Sequence, residues 1–123
     1  MRKSGFTMIE LLVTVTILAL LVSIAAPRYF SNMDRAREDV LREDLYILRE
    51  AIDKFYSDQN RYPETLAELV KERYIRRIPV DPLTQSPNSW IPVAVNADGT
   101  GGVMDVRSGA PNLARDGTWY KDW

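Results

Sequence analysis

The chain has 123 residues, the length of a single domain. It contains neither Cys nor His, which excludes a disulfide framework, a thiol nucleophile, a thiolate metal site, and the usual imidazole base and zinc ligand. A net charge of −1 gives no basic surface for nucleic acid, and much of the 46% hydrophobic content is gathered at one end.

That end begins with a short basic leader, Met1 to Gly5, carrying Arg2 and Lys3. Residues 6–26, FTMIELLVTVTILALLVSIAA, then run apolar with one charge, Glu10. As a helix this stretch reaches ~30 Å, the hydrocarbon thickness of a bilayer. Positive charge ahead of it predicts a cytoplasmic leader and a translocated remainder. An acid inside a spanning segment costs ~2.5–3.5 kcal/mol on insertion scales, so Glu10 calls for a partner. A competing reading is an ordinary secretory signal cut near Ala25, after the small residues Ser23, Ala25 and Ala26. It leaves Glu10 unexplained and puts Pro27 close to the cut.

The string G-F-T-M-I-E-L-L, Gly5 to Leu12, resembles the N-terminal signature of the type IV pilin and pseudopilin family. The resemblance implies that a prepilin peptidase cuts after Gly5, that Phe6 becomes the N-methylated terminus, and that Glu10 pairs with a neighbouring subunit's terminal amine. It also implies a boundary plan: leader 1–5, transmembrane and assembly helix 6–27, and a periplasmic head over 28–123 that includes the rest of the helix.

Helical pattern continues past Pro27, where a kink is expected. Leu41, Leu45, Leu48, Ile52 and Phe55 recur at alternating intervals of four and three, one face of a helix, with Val40 and Ala51 widening the stripe. Arg42, Glu43, Arg49, Glu50, Asp53 and Lys54 occupy the other face. A coiled coil is the rival of a helix packed on its own head, but the stripe is short. The prediction is a rod over 6–58, ended by Ser57-Asp58-Gln59-Asn60.

Thr65 and Glu68 form a T-x-x-E capping box opening a helix of two or three turns, with Leu66, Leu69 and Val70 inward. Lys71, Arg73, Arg76 and Arg77 near its end read as dipole compensation or as a patch for an acidic partner or lipid headgroups. Pro79, Pro82 and Pro87 punctuate a loop. Tyr62-Pro63, the helix and I-P-V-D-P (Ile78 to Pro82) are similar to the same stretch of the major pseudopilins of type II secretion systems.

Ile91, Val93 and Val95 alternate as an edge strand, given Pro92. A turn follows at Asn96-Ala97-Asp98-Gly99, then a returning strand from Val103 to Arg107. A third strand is expected at Thr118-Trp119-Tyr120. So few short strands bury nothing alone and must cover the helix stripe. The fold class expected is α+β, a long N-terminal helix packed on a small antiparallel sheet head. Trp90, Trp119 and Trp123 read as head packing, Tyr29 and Phe30 as interfacial anchors.

No catalytic pair assembles from these residues, so no enzyme is expected. The family resemblance implies a structural subunit of a type II secretion pseudopilus. Its partners are itself, the prepilin peptidase, an inner-membrane assembly platform and minor pseudopilins. Two alternatives are a type IV pilin for adhesion or motility and a signal-anchored periplasmic binding module. The resemblance further implies a Ca²⁺ near the C-terminus, with Asp116, Asp122, Ser108 and main-chain carbonyls as candidate ligands. Pro111 stands where a ligand Asp is expected after Ser-Gly-Ala. On the other reading Asp116-Gly117 is a tight turn and Asp122 a solvated charge.

Overall fold

The computed structural model describes residues 5–123, so Arg2 and Lys3 of the leader lie outside the described residues. One helix, α1 (Met8–Gln59), takes up much of the chain and continues through Pro27. The chain divides after Asp34 into two compact units.

In the first unit, α1 is long and apolar enough to cross a membrane, and none of its apolar window is covered by protein. Ile9, Leu12, Leu20 and Val22 are all more than half exposed. Its hydroxyl residues turn inward to the backbone instead. Thr14 Oγ1 donates to the Glu10 carbonyl (2.8 Å), Thr16 Oγ1 to Leu12 (2.7 Å) and Ser23 Oγ to Leu20 (2.7 Å). Each bond removes a donor that lipid could not satisfy.

In the second unit the expected stripe of α1 is the core. Leu41, Leu48, Ile52 and Phe55 are completely buried, with Leu45 and Ala51 beside them. Val40 does not widen the stripe, because it is 48% exposed. The ring of Phe55 packs on Tyr74 at 5.2 Å. α1 ends where Asn60 takes a left-handed φ of 56°.

The second helix, α2 (Leu66–Lys71), is shorter than the two or three turns expected, because Arg73 at φ 63° closes it early. Its cap is as read: Thr65 Oγ1 accepts from the Glu68 N–H at 3.3 Å, although the Glu68 carboxylate reaches back to the N–H of Glu64 (2.7 Å). Arg61 holds the same carboxylate at 2.6 Å. Leu66 and Leu69 enter the core, while Val70 is only partly covered.

The sheet has two antiparallel strands, β1 (Ile91–Ala94) and β2 (Val103–Arg107), with an irregularity between Val93 and Ala94. The third strand expected at Thr118-Trp119-Tyr120 does not form. Trp119 makes one isolated bridge to Leu113, and Tyr120–Asp122 is a 3-10 turn. Of the alternating residues Ile91, Val93 and Val95, Ile91 is 50% exposed, Val93 is only partly buried and Val95 lies past the end of β1, so β2 carries the burial through Val103 and Val106. Short strands with one Pro-bearing member leave the core to be completed by loops, chiefly Trp90, Ala110, Ala114 and Tyr120. Of the three tryptophans, Trp90 is buried and Trp123 packs against the core, but Trp119 stays 44% exposed.

Two glycines hold these loops against their neighbours. Gly102 has a φ of 91°, and a Cβ there would lie 2.9 Å from Tyr62. A Cβ at Gly109 would run into the main-chain oxygen of Ser89. Both positions require the missing side chain.

Candidate functional site

The first site lies at the start of α1. Thr7 caps the helix: its Oγ1 accepts the Glu10 N–H at 3.1 Å, and Glu10 Oε2 accepts the Thr7 N–H at 3.0 Å. This is a reciprocal capping box, and it gives the one acid of the apolar run a partner within its own chain. The T-x-x-E spacing at Thr7 and Glu10 is as legible as the one at Thr65 and Glu68. The cost of a carboxylate in an apolar run draws attention away from its position, the third residue of the helix.

Gly5 and Phe6 precede the cap. A Cβ at Gly5 would meet nothing within 4 Å, so packing among the described residues does not require glycine there. Phe6 is 86% exposed. Both residues are thus accessible to an outside agent, and Glu10 lies one helical turn beyond them.

The second candidate, the C-terminal cation set, is separated by the fold. Ser108 is buried, its Oγ donating to Asp81 Oδ2 at 2.6 Å and accepting the Ala110 N–H at 3.1 Å. Asp81 in turn accepts the N–H groups of Leu83 (2.8 Å) and Thr84 (3.4 Å) and joins the Pro-rich loop to the chain after β2. Asp81 and nearby Asp44 are both acids, and Asp44 is pushed above the usual carboxylate range by burial first and then by the charges of Asp81 and Glu43. The buried role of Asp81 is missed by sequence reasoning; its signal is an Asp before Pro and Thr in a turn, able to cap two backbone N–H groups.

Asp116 and Asp122 are elsewhere, on an open cavity of about 480 Å³ that Arg42, Arg49 and Trp123 also line. Asp116 Oδ1 is engaged by Thr118, through its N–H (3.0 Å) and its Oγ1 (2.6 Å). Those bonds, aided by Arg42, hold the Asp116 carboxyl below the usual range. Among the described residues no group of three or more acidic side chains comes together to hold a metal. A donor set with one hydroxyl buried away, one carboxylate spent on its own turn and two guanidinium groups alongside does not fit a Ca²⁺ cage.

The α1 side of this region carries further contacts unforeseen from sequence. Arg49 Nε donates to Asp105 Oδ1 at 2.8 Å, and its Nη2 to the carbonyls of Val106 (3.0 Å) and Trp123 (2.7 Å). Glu38 Oε1 accepts the Arg115 N–H and the Tyr120 hydroxyl, each at 2.9 Å.

Comparison with known proteins bears on the first site. A family model described as the prokaryotic N-terminal methylation motif matches residues 1–26. The type II secretion system core protein G of Pseudomonas aeruginosa is 31% identical across 96% of this chain and 96% of its own length. Its counterpart in Escherichia coli strain K12 is 31% identical across 90% and 83%, and that of Aeromonas hydrophila 34% across 66% and 68%. No solved structure matches the chain significantly. With a methylation-motif N-terminus, a long apolar helix and a small α+β head, and with a relative at 31% identity across 96% of its length, the chain belongs to the family of type II secretion system core protein G, the major pseudopilins.

Proposed function

We propose that the chain is a structural subunit of a type II secretion pseudopilus, anchored in the bacterial inner membrane with its head in the periplasm. A prepilin peptidase removes the leader after Gly5, and Phe6 becomes the N-methylated terminus. The subunit then joins copies of itself and minor pseudopilins on an inner-membrane assembly platform. It catalyses nothing; the filament's growth moves exported proteins.

The observation that carries this reading is an apolar helix with no protein covering it and one carboxylate in its first turn. Such a surface is stable in lipid or against other copies of the same helix, and water suits neither. A cut after Gly5 creates an ammonium group at the depth of Glu10. Between neighbouring subunits, opposite charges at that depth attract strongly because no water screens them. A ladder of such contacts is heterologous and does not close, which is the geometry of a filament.

The test has two parts. Mass spectrometry of the mature protein should find Phe6 at the N-terminus, with one added methyl group, and Gly5→Leu should retain the leader. Glu10→Ala should still insert in the membrane, since it removes an insertion penalty, yet fail to give filaments by electron microscopy of overexpressing cells. Normal filaments from Glu10→Ala would refute the pairing.

A further inference from the structure

We infer that Arg49 of α1 is the cation that fastens the C-terminal segment of the head, so that this segment closes without calcium. A hard dication needs six to eight oxygens at ~2.3–2.6 Å. Several oxygens in this part of the molecule are already engaged by protein donors, among them Asp116 Oδ1 and Glu38 Oε1. The planar guanidinium of Arg49 takes one carboxylate oxygen, from Asp105, and two main-chain oxygens, from Val106 and Trp123. It thereby joins α1 to β2 and to the last residue described. A fork of fixed N–H directions suits three acceptors spread in this way better than a point charge does.

The neighbouring groups complete the closure. Arg42 lies 4.4 Å over the Trp123 ring, and Tyr120 meets that ring edge-on at 5.1 Å. Trp123 Nε1 donates to Thr118 Oγ1 at 2.7 Å. Glu38, almost fully buried, turns its carboxylate inward to Arg115 and Tyr120 rather than toward the cavity. The two carboxylates on the cavity, Asp116 and Asp122, share it with both arginines, whose charge repels a dication where it would have to sit. The donor set expected for calcium is thus divided, while a resident guanidinium stands among acceptors that the sequence does not connect. This inference rests on the head alone and is independent of whether the chain polymerises.

The experiment is thermal unfolding of the full chain in detergent micelles, with EDTA and then with millimolar CaCl₂, followed by tryptophan fluorescence. The expected result is one melting temperature in both solutions. A higher melting temperature in Ca²⁺ than in EDTA overturns the inference. Limited trypsin digestion then reads the segment directly. Arg49→Met should lower the melting temperature by more than ~4 °C and speed cleavage at Arg115 and Lys121 severalfold, with no rescue by Ca²⁺. The milder Arg49→Lys keeps the charge but loses the fork, and should also be cleaved faster than the parent. Cleavage of both variants at the parent's rate, or rescue of either by Ca²⁺, overturns the role of Arg49.

Discussion

Leu48→Ala tests the most basic claim about the head, that α1 supplies its core. Leu48 is fully buried midway along the stripe, with Leu45 and Ile52 on the adjacent turns and β2 residues Val103 and Val106 in the same cluster. Truncating such a leucine typically costs ~2–5 kcal/mol, because the lost transfer energy is compounded by the cavity left behind. The compact unit Arg35–Trp123 is of the size for which 1 kcal/mol shifts the melting temperature by ~4–8 °C. The low ends of both ranges combine to a fall of at least ~8 °C. Tryptophan fluorescence of the full chain in micelles is the suitable assay, since Trp90, Trp119 and Trp123 all lie in this unit and the lipid-facing part of α1 is silent. Glu43→Ala and Val40→Ala, both on exposed positions, serve as controls and should stay within ~0.5 kcal/mol of the parent. A Leu48→Ala chain melting with its controls would mean that the helix packs on a different face.

Two further outcomes are expected. Gly109→Ala forces a methyl group into the Ser89 carbonyl and should cost ~1–3 kcal/mol, a larger fall in melting temperature than that of the exposed Leu113→Ala. Asp44 has a folded pKa raised above 3.8, so its charged form opposes folding at neutral pH and the penalty vanishes as pH falls through the folded value. Asp44→Asn should therefore melt higher than the parent at pH 7, and the difference should shrink on acidification; a gap that is constant with pH would show that charge is not its cause.

The helical half of the fold is legible because period and position agree. The four-three spacing from Leu41 to Phe55 names the buried face residue by residue, and Thr65 with Glu68 marks the start of the second helix to within a residue. What fails is the region where burial is shared among loops. Thr118-Trp119-Tyr120 has strand propensity, yet only Tyr120 is buried, because its hydroxyl is drawn to Glu38 far away in sequence. Ser108 and Asp81 look like solvated loop residues, but their 2.6 Å bond satisfies both in the interior. Arg49 reads as one charge on a polar helix face. Its three acceptors come from β2 and from residue 123, and no local pattern announces contacts of that range. Long-range polar pairing is set by topology, and topology is what local periodicity does not encode.

The N-terminal site shows the same limit and adds a consequence for assembly. In the single chain the Glu10 carboxylate accepts the Thr7 N–H, so the acid is not a bare charge even before it meets another subunit. Capping bonds of this kind contribute ~0.5–2 kcal/mol, against an insertion cost of ~2.5–3.5 kcal/mol for a charge at the centre of a spanning helix. The cap therefore reduces the cost of Glu10 without removing it, and a residual drive toward a cationic partner is left. In the proposed filament that partner is the ammonium of a processed neighbour, and Thr7 retains its hydroxyl bond to the Glu10 N–H while the carboxylate turns outward. Glu10→Gln separates the two roles. A neutral amide still accepts the Thr7 N–H, so the helix start survives, but the charge that attracts a neighbouring amine is gone. Helix content equal to the parent with filaments absent is the expected pair of results, by circular dichroism in micelles and electron microscopy of cells. Filaments from Glu10→Gln would assign the residue to capping alone.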